Sequence, residues 1–293
     1  METVKFHLIE KTKLLKDNFI EVPKLEARLL LAKTFNKNLN WTYLNTEKRI
    51  SKKKIMIYEM LIKKKIKRFP TAYLLENKEF YSMNFKVNKN TLIPRPETEV
   101  MLEEIKKNFK SKKKFSILDL GTGTGCILLS ILNEFKNAFG IGIDKYLETI
   151  KVAIINSKIN NLSKRSQFVN LNWNQKDSFK KILKINKKFS GYEKFDLVVS
   201  TPPYLLKNEM KTLMPEVTYE PKESLYDNKD GLSFYKRILP KINSLVSENS
   251  YIYLEINPKN RRNIEKICKS NNIKNIHYIK DLSGKYRFVL IKN

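Results

Sequence analysis

The stretch Phe115-Ser116-Ile117-Leu118-Asp119-Leu120 reads as a short buried strand, and it runs straight into Gly121-Thr122-Gly123-Thr124-Gly125. Cys126-Ile127-Leu128-Leu129 then opens a helix, and a second apolar strand, Ala138 to Ile143, ends at Asp144. Strand and helix keep alternating to the C-terminus, with Phe195 to Ser200, Tyr251 to Ile256 and Tyr286 to Ile291 as further strands. Such alternation predicts an α/β fold, a mostly parallel sheet with helices on both faces. The region before it is different. Residues 1–75 carry no Gly, and Leu25, Leu29, Leu30 and Phe35, then Ile55, Ile57, Met60, Leu61 and Ile66, recur at helical spacing. A small helical bundle is expected over 1–75, a β-hairpin linker over 76–93 (Phe80-Tyr81 and Phe85-Lys86-Val87), and the α/β domain over 94–293.

The chain has 293 residues, 41% of them hydrophobic, enough for one large domain and a small one. No apolar stretch approaches the ~20 residues of a membrane helix. The N-terminus lacks the apolar core of a signal peptide, and Cys126 and Cys268 make neither a disulfide framework nor a zinc spacing. A cytoplasmic, metal-free, membrane-free protein is expected, most simply a monomer. The net charge of +28 is spread along the chain and carried mostly by Lys, which suits solvated faces. Runs such as Lys52 to Lys54, Lys63 to Lys65 and Lys112 to Lys114 would attract polyanions weakly and in a salt-dependent way.

A glycine turn after a first strand admits a cofactor close to the backbone, because Gly lacks Cβ and tolerates positive φ. It is also an ordinary way to make a tight turn. Asp144 lies about 20 residues beyond it, the place of an acid that grips two ribose hydroxyls. A pyrophosphate calls for G-x-G-x-x-G, whereas Gly121, Gly123 and Gly125 form G-x-G-x-G. Asp119 adds a carboxylate that suits a cationic amino-acid moiety better than a diphosphate. S-adenosylmethionine has that moiety and no phosphate. Thr122 and Thr124 complete the candidate cofactor loop.

The strand Phe195 to Ser200 ends in Thr201-Pro202-Pro203-Tyr204. Two successive prolines stiffen this loop. Position 201 offers an acceptor side chain, Pro202 a carbonyl and Tyr204 a flat ring. An amide nitrogen is a poor nucleophile, so methylating it requires both N–H groups to be held while the lone pair is aimed, which is catalysis by orientation and electrostatics. Thr201, Pro202 and Tyr204 are the candidate catalytic residues, and Thr201 to Tyr204, Pro203 included, the candidate substrate loop. The plain alternative is a Pro-Pro turn that closes a strand.

At this point the chain resembles the bacterial HemK/PrmC family, methyltransferases acting on the glutamine of the Gly-Gly-Gln motif in class 1 peptide chain release factors. The likeness runs through Phe80-Tyr81, Leu92 to Glu99, Leu118 to Gly125, Asp144, Pro202 to Tyr204 and Tyr219-Glu220-Pro221. It continues through Asp230-Gly231-Leu232, Phe234-Tyr235, Leu254-Glu255-Ile256 and Asp281 to Gly284 with Arg287. The resemblance implies a Rossmann-like S-adenosylmethionine-dependent methyltransferase domain behind a small N-terminal helical domain that docks the release factor. It also implies that Gly121 to Gly125, Asp144 and Trp173 contact the cofactor, Trp173 against the adenine, with Thr201 beside both cofactor and target amide. The chain departs from the family pattern at Thr201 for Asn, Asn172 for Asp, Glu76 for Gly and Asn257 for Gly, and residues 174–194 read as a basic surface insertion. Two other functions stay open: a nucleic-acid amino methyltransferase, since Pro-Pro-Tyr is shared with DNA adenine methyltransferases, and a relative impaired by Thr201.

The remaining reactive residues have plainer readings. His7 and His277 have no partners at metal spacing and are expected on the surface or in a strand. Cys126 sits at a helix start, where a thiol pKa can fall, but a small side chain packed under the loop is expected. Glu97 and Glu99 are candidates for the site or for helix capping.

Overall fold

The computed structural model describes residues 3–109 and 114–293; Met1-Glu2 and most of the Lys112 to Lys114 run lie outside the described residues. The chain divides into two compact units, Met1–Asn77 with Met214–Tyr219, and Lys78–Leu213 with Glu220–Asn293.

The first unit is helical: α1 (Val4–Asp17), α2 (Pro23–Phe35), α3 (Trp41–Leu44), α4 (Lys52–Ile66) and α5 (Thr71–Leu75). The Thr3 hydroxyl accepts the Phe6 amide at 3.3 Å and caps α1, and Pro23 opens α2, where a missing N–H costs nothing. The core joins Leu8, Leu15, Leu30, Leu31, Tyr58, Leu61 and Ile62, and the Tyr58 hydroxyl donates to the Ala27 carbonyl at 2.9 Å. The helical spacing read from sequence is right: Leu30 and Leu61 are in the core, and Phe35, Ile55, Ile57 and Ile66 pack against it, whereas Leu25 and Met60 are exposed. His7, expected at the surface, is buried because Val4, His7, Leu8, Lys11 and Leu15 share the inner face of α1. Met214–Tyr219 joins this unit through Glu216, which takes Arg68 at 3.3 Å and Lys65 at 3.7 Å, and through the Tyr219 hydroxyl on the Lys67 carbonyl.

A hairpin follows, β1 (Asn77–Phe80), whose first residue is the last of the first unit, and β2 (Met83–Lys86), then α6 (Glu99–Asn108) of the second unit. Next come β3 (Ser116–Leu120), α7 (Cys126–Glu134), β4 (Phe139–Asp144), α8 (Leu147–Ile159), β5 (Ser166–Asn170), α9 (Ser178–Ser190) and β6 (Phe195–Ser200). After the short α10 (Lys207–Met210), α11 (Ser233–Ile238) and α12 (Ile242–Leu245) lead to β7 (Val246–Glu255), α13 (Arg261–Ser270), β8 (Ile276–Lys280) and β9 (Tyr286–Lys292). The seven-stranded sheet has the order β5-β4-β3-β6-β7-β9-β8. Its first five strands are parallel, and β9 pairs antiparallel with both β7 and β8. Strand side chains alternate between faces, so Leu118 and Val198 enter one apolar layer with α9, α11 and α13, while Ile117 and Leu197 enter the other with α6 and α7.

The basic stretch 174–194 is a correction. Most of it forms α9, whose Ile182 is fully buried against the sheet and whose Asn186 accepts the Ser116 hydroxyl at 2.7 Å. A crossover between the parallel strands β5 and β6 needs such a helix; the lysines are simply its outer face.

Candidate active site

In a parallel sheet the loops that follow the strands gather at one edge, and here that edge carries the glycine turn after β3, Asp144 at the end of β4 and Thr201 to Tyr204 after β6. Gly121, Gly123 and Gly125 have φ of +77°, +55° and +79°, which side chains resist. The amides of Gly121 and Thr122 both donate to the Ile143 carbonyl at 2.9 Å, so the turn is moored to β4. One Asp144 oxygen accepts the Gly123 amide at 3.3 Å and the other accepts the Tyr146 amide at 3.0 Å. Burial pushes the Asp144 carboxyl upward and those two amides oppose it.

Thr122, Gly123, Thr124, Asp144 and Trp173 line one cleft with Thr201, Pro202, Pro203 and Tyr204. Including its open mouth the cleft encloses about 1170 Å³, and Gly121 also borders it. Trp173 stands edge-on to Phe234 at 5.8 Å, and its ring lies 3.5 Å from where a Gly121 side chain would begin. Two expected cofactor residues sit elsewhere. Asp119 is 1% exposed beneath the turn, accepts the Thr122 hydroxyl at 2.7 Å and is pushed up to about 7 by burial. It shapes the loop rather than facing the cleft. Gly125 caps α7 and faces Phe168. Cys126 is buried and its thiol is pushed up to about 12 by that burial, so the helix start does not activate it.

The reacting loop is pinned at its root, where the Ser200 hydroxyl donates to the Leu120 carbonyl at 2.6 Å. Among the described residues the Thr201 hydroxyl forms no hydrogen bond, which leaves it open to the cleft. The Tyr204 hydroxyl donates to Glu255 at 2.9 Å. Gly231, at φ +75°, brings its backbone under the loop; a Cβ there would meet the Tyr204 carbonyl at 2.8 Å. The opposite wall, Leu92 to Arg95, is clamped by Glu220, which accepts the Ile93 amide at 2.9 Å and Arg95 at 2.6 Å. Glu255, Gly231 and Glu220 all lie in the segments that carried the family resemblance, but their tasks depend on distant partners. Glu99 accepts the Tyr81 amide at 3.1 Å and Glu97 is exposed outside the cleft lining. His277 is exposed, with its ring 2.9 Å from Asn275.

The donor set fits adenosine bonded to an amino acid: a carboxylate at a strand end for two hydroxyls, an indole for the base, and a glycine turn that opens the backbone. Two further departures from the family pattern are local. Asn172 caps the Asn174 amide at 2.9 Å, and Asn257 caps the Lys259 amide at 3.1 Å.

A family model described as the PrmC N-terminal domain matches residues 8–75, and one described as a methyltransferase domain matches residues 111–287. The release factor glutamine methyltransferase of Fusobacterium nucleatum is 34% identical over 280 residues, which is 95% of this chain and 75% of that protein. The enzyme of the same name from Caulobacter vibrioides is 32% identical over 281 residues, 95% of this chain and 93% of its own. The N-terminal domain of human METTL16, solved in complex with SAH, superposes with a TM-score of 0.53 at 15% identity, covering 73% of this chain and 76% of that one. Fold and cleft define a class I S-adenosylmethionine-dependent methyltransferase. More narrowly, the chain belongs to the HemK/PrmC family of release factor glutamine methyltransferases.

Proposed function

We propose that this chain methylates the side-chain amide nitrogen of the glutamine in the Gly-Gly-Gln motif of class 1 peptide chain release factors, with the helical unit docking that partner. The observation that carries the reading is the Thr201 to Tyr204 loop, held at the cleft edge beside the glycine turn. Asp144 and Trp173 would hold the cofactor, which when bound would supply an electrophilic methyl group and keep the carbon–sulfur electron pair as a neutral thioether. The Thr201 hydroxyl and the Pro202 carbonyl are two acceptors for the two amide hydrogens, and the Tyr204 ring covers the planar group. Holding both hydrogens turns the nitrogen lone pair outward and disfavours other amide orientations. As the nitrogen gains its methyl group it loses one proton to solvent, so the product is a neutral secondary amide.

Labelled S-adenosylmethionine tests this with a cognate release factor and a version whose motif glutamine is alanine. Label on the first protein alone is expected. Label on neither, restored by Thr201→Asn, would mean an impaired active site in a sound scaffold. Label on neither even then would sink the substrate assignment.

A further inference from the structure

One buried carboxylate in the cleft, Glu255, is not among the groups that would touch the cofactor or the target amide. Glu255 ends β7, and pairing of Ser200 with Leu254 places it level with Thr201, the first residue of the reacting loop. It is 9% exposed. Its side chain accepts the Tyr204 hydroxyl, and its backbone carbonyl accepts the Tyr235 hydroxyl. Arg287, on the adjacent strand β9, faces both Tyr204 and Glu255. Arg287 is in turn fixed by Asp281, which takes its Nε at 3.1 Å and Nη2 at 3.0 Å. The other Asp281 oxygen is saturated by the Ser283 amide, the Ser283 hydroxyl and the Lys285 amide.

We propose that Glu255 is a positioning residue for methyl transfer: its carboxylate, set by the Arg287–Asp281 pair, holds the Tyr204 phenol and so fixes the ring plane that the target amide lies against. The inference rests on the methyl-transfer reading above. A buried carboxylate is costly to keep, and a chain keeps one where the charge has work. Here the charge lies one hydrogen bond from the ring that the target amide lies against, so it acts through the placement of that ring. The charge of Arg287, held in place by Asp281, also gives the C-terminal turn Asp281 to Gly284 an electrostatic task at the reacting loop, although neither that turn nor Arg287 borders the cleft.

Burial raises the Glu255 carboxyl above the ordinary range. The groups facing it are the Tyr204 phenol, which donates to it, the buried Tyr235 phenol of α11, which donates to its backbone carbonyl, Arg287 and Arg95, which favour its charge, and Glu97, which opposes it. As pH falls through that raised value the carboxylate gains a proton and Tyr204 loses its anionic acceptor, so kcat falls on the acid side.

The test is a double-mutant cycle of Glu255→Gln and Tyr204→Phe, read as kcat with cofactor and release factor both saturating. Each single variant is expected to lose about 10-fold, and the double variant no more than either, because both remove one connection. Glu255→Gln should also abolish the acid limb of kcat, and Arg287→Lys should move that limb to higher pH. Multiplicative losses, or an acid limb unchanged in Glu255→Gln, would overturn the proposal. A readout without turnover separates this from the substrate assignment: fluorotyrosine placed at position 204 should show a fluorine shift that follows pH in the parent chain and is flat in Glu255→Gln. A shift that is flat in the parent, or that titrates alike in both, also overturns it.

Discussion

Removing the Glu220 carboxylate isolates what holds the cleft walls. Its side chain is 1% exposed, accepts the buried Ile93 amide at 2.9 Å, and pairs at 2.6 Å with Arg95, whose side chain is 37% exposed. In Glu220→Ala the Ile93 amide is left buried without a partner, costing about 1–3 kcal/mol. The ion pair, open to solvent on the Arg95 side, adds roughly 0.5–1 kcal/mol after screening. The small void left by four heavy atoms adds on the order of 1 kcal/mol. The expected destabilisation is about 3 kcal/mol, or a Tm fall of about 6–12 °C for a unit of this size. Glu220→Gln keeps an acceptor for Ile93 and loses only the charge, so it should cost about 1 kcal/mol. Denaturant unfolding, compared at fixed slope, measures both. Equal losses in the two variants, or a loss below about 1 kcal/mol in Glu220→Ala, would refute the argument that the backbone amide carries most of the energy.

Four further outcomes are expected. Thr201→Asn, which lengthens the acceptor and adds geometric control, should raise kcat by about 10²-fold in the release-factor assay; an unchanged rate would mean that position 201 does not orient the target. Glu76 ends α5 at φ +56°, so Glu76→Gly should stabilise the helical unit by about 0.5–1 kcal/mol in thermal unfolding, less the small loss of its exposed pair with Lys33. Asp119, at about 7 in the fold against an ordinary 3.8, keeps a proton that the unfolded chain has shed. Stability of the cofactor-free protein should therefore fall as pH rises between those two values and level off above, and Asp119→Asn should flatten that slope in denaturant titrations. Gly231→Ala forces a Cβ to within 2.8 Å of the Tyr204 carbonyl at positive φ, and should lower kcat more than it weakens cofactor binding measured by calorimetry.

Much of the site was legible because its chemistry is local. The glycines must follow β3 for the backbone to turn, Asp144 must end β4 to reach the same edge, and consecutive prolines stiffen residues 201 to 204 whatever surrounds them. Hence the order of strands and helices, the sheet, and one cleft containing both loops could be anticipated from residue order. What escaped was long in range. Ile93 and Glu220 are 127 positions apart, and Tyr204 and Glu255 are 51 apart. Nothing in either residue's neighbours announces the pairing.

The same limit explains the misplaced residues. Periodicity identifies a helix but not which of two adjacent stripes will be covered, so Leu25 and Met60 face outward and His7 inward. A carboxylate one residue from a glycine turn looks like a ligand, yet pleating sends Asp119 beneath the turn. A lysine-rich run looks like an insertion until Ile182 and Asn186 are seen against the sheet. By itself the sequence determined the local steric events, strand to glycine turn to helix and the stiff Pro-Pro loop, because those depend on neighbouring residues alone. Only the tertiary structure decided which faces are buried and which distant carboxylates hold the loops, because burial and hydrogen-bond pairing depend on what the rest of the chain brings into contact.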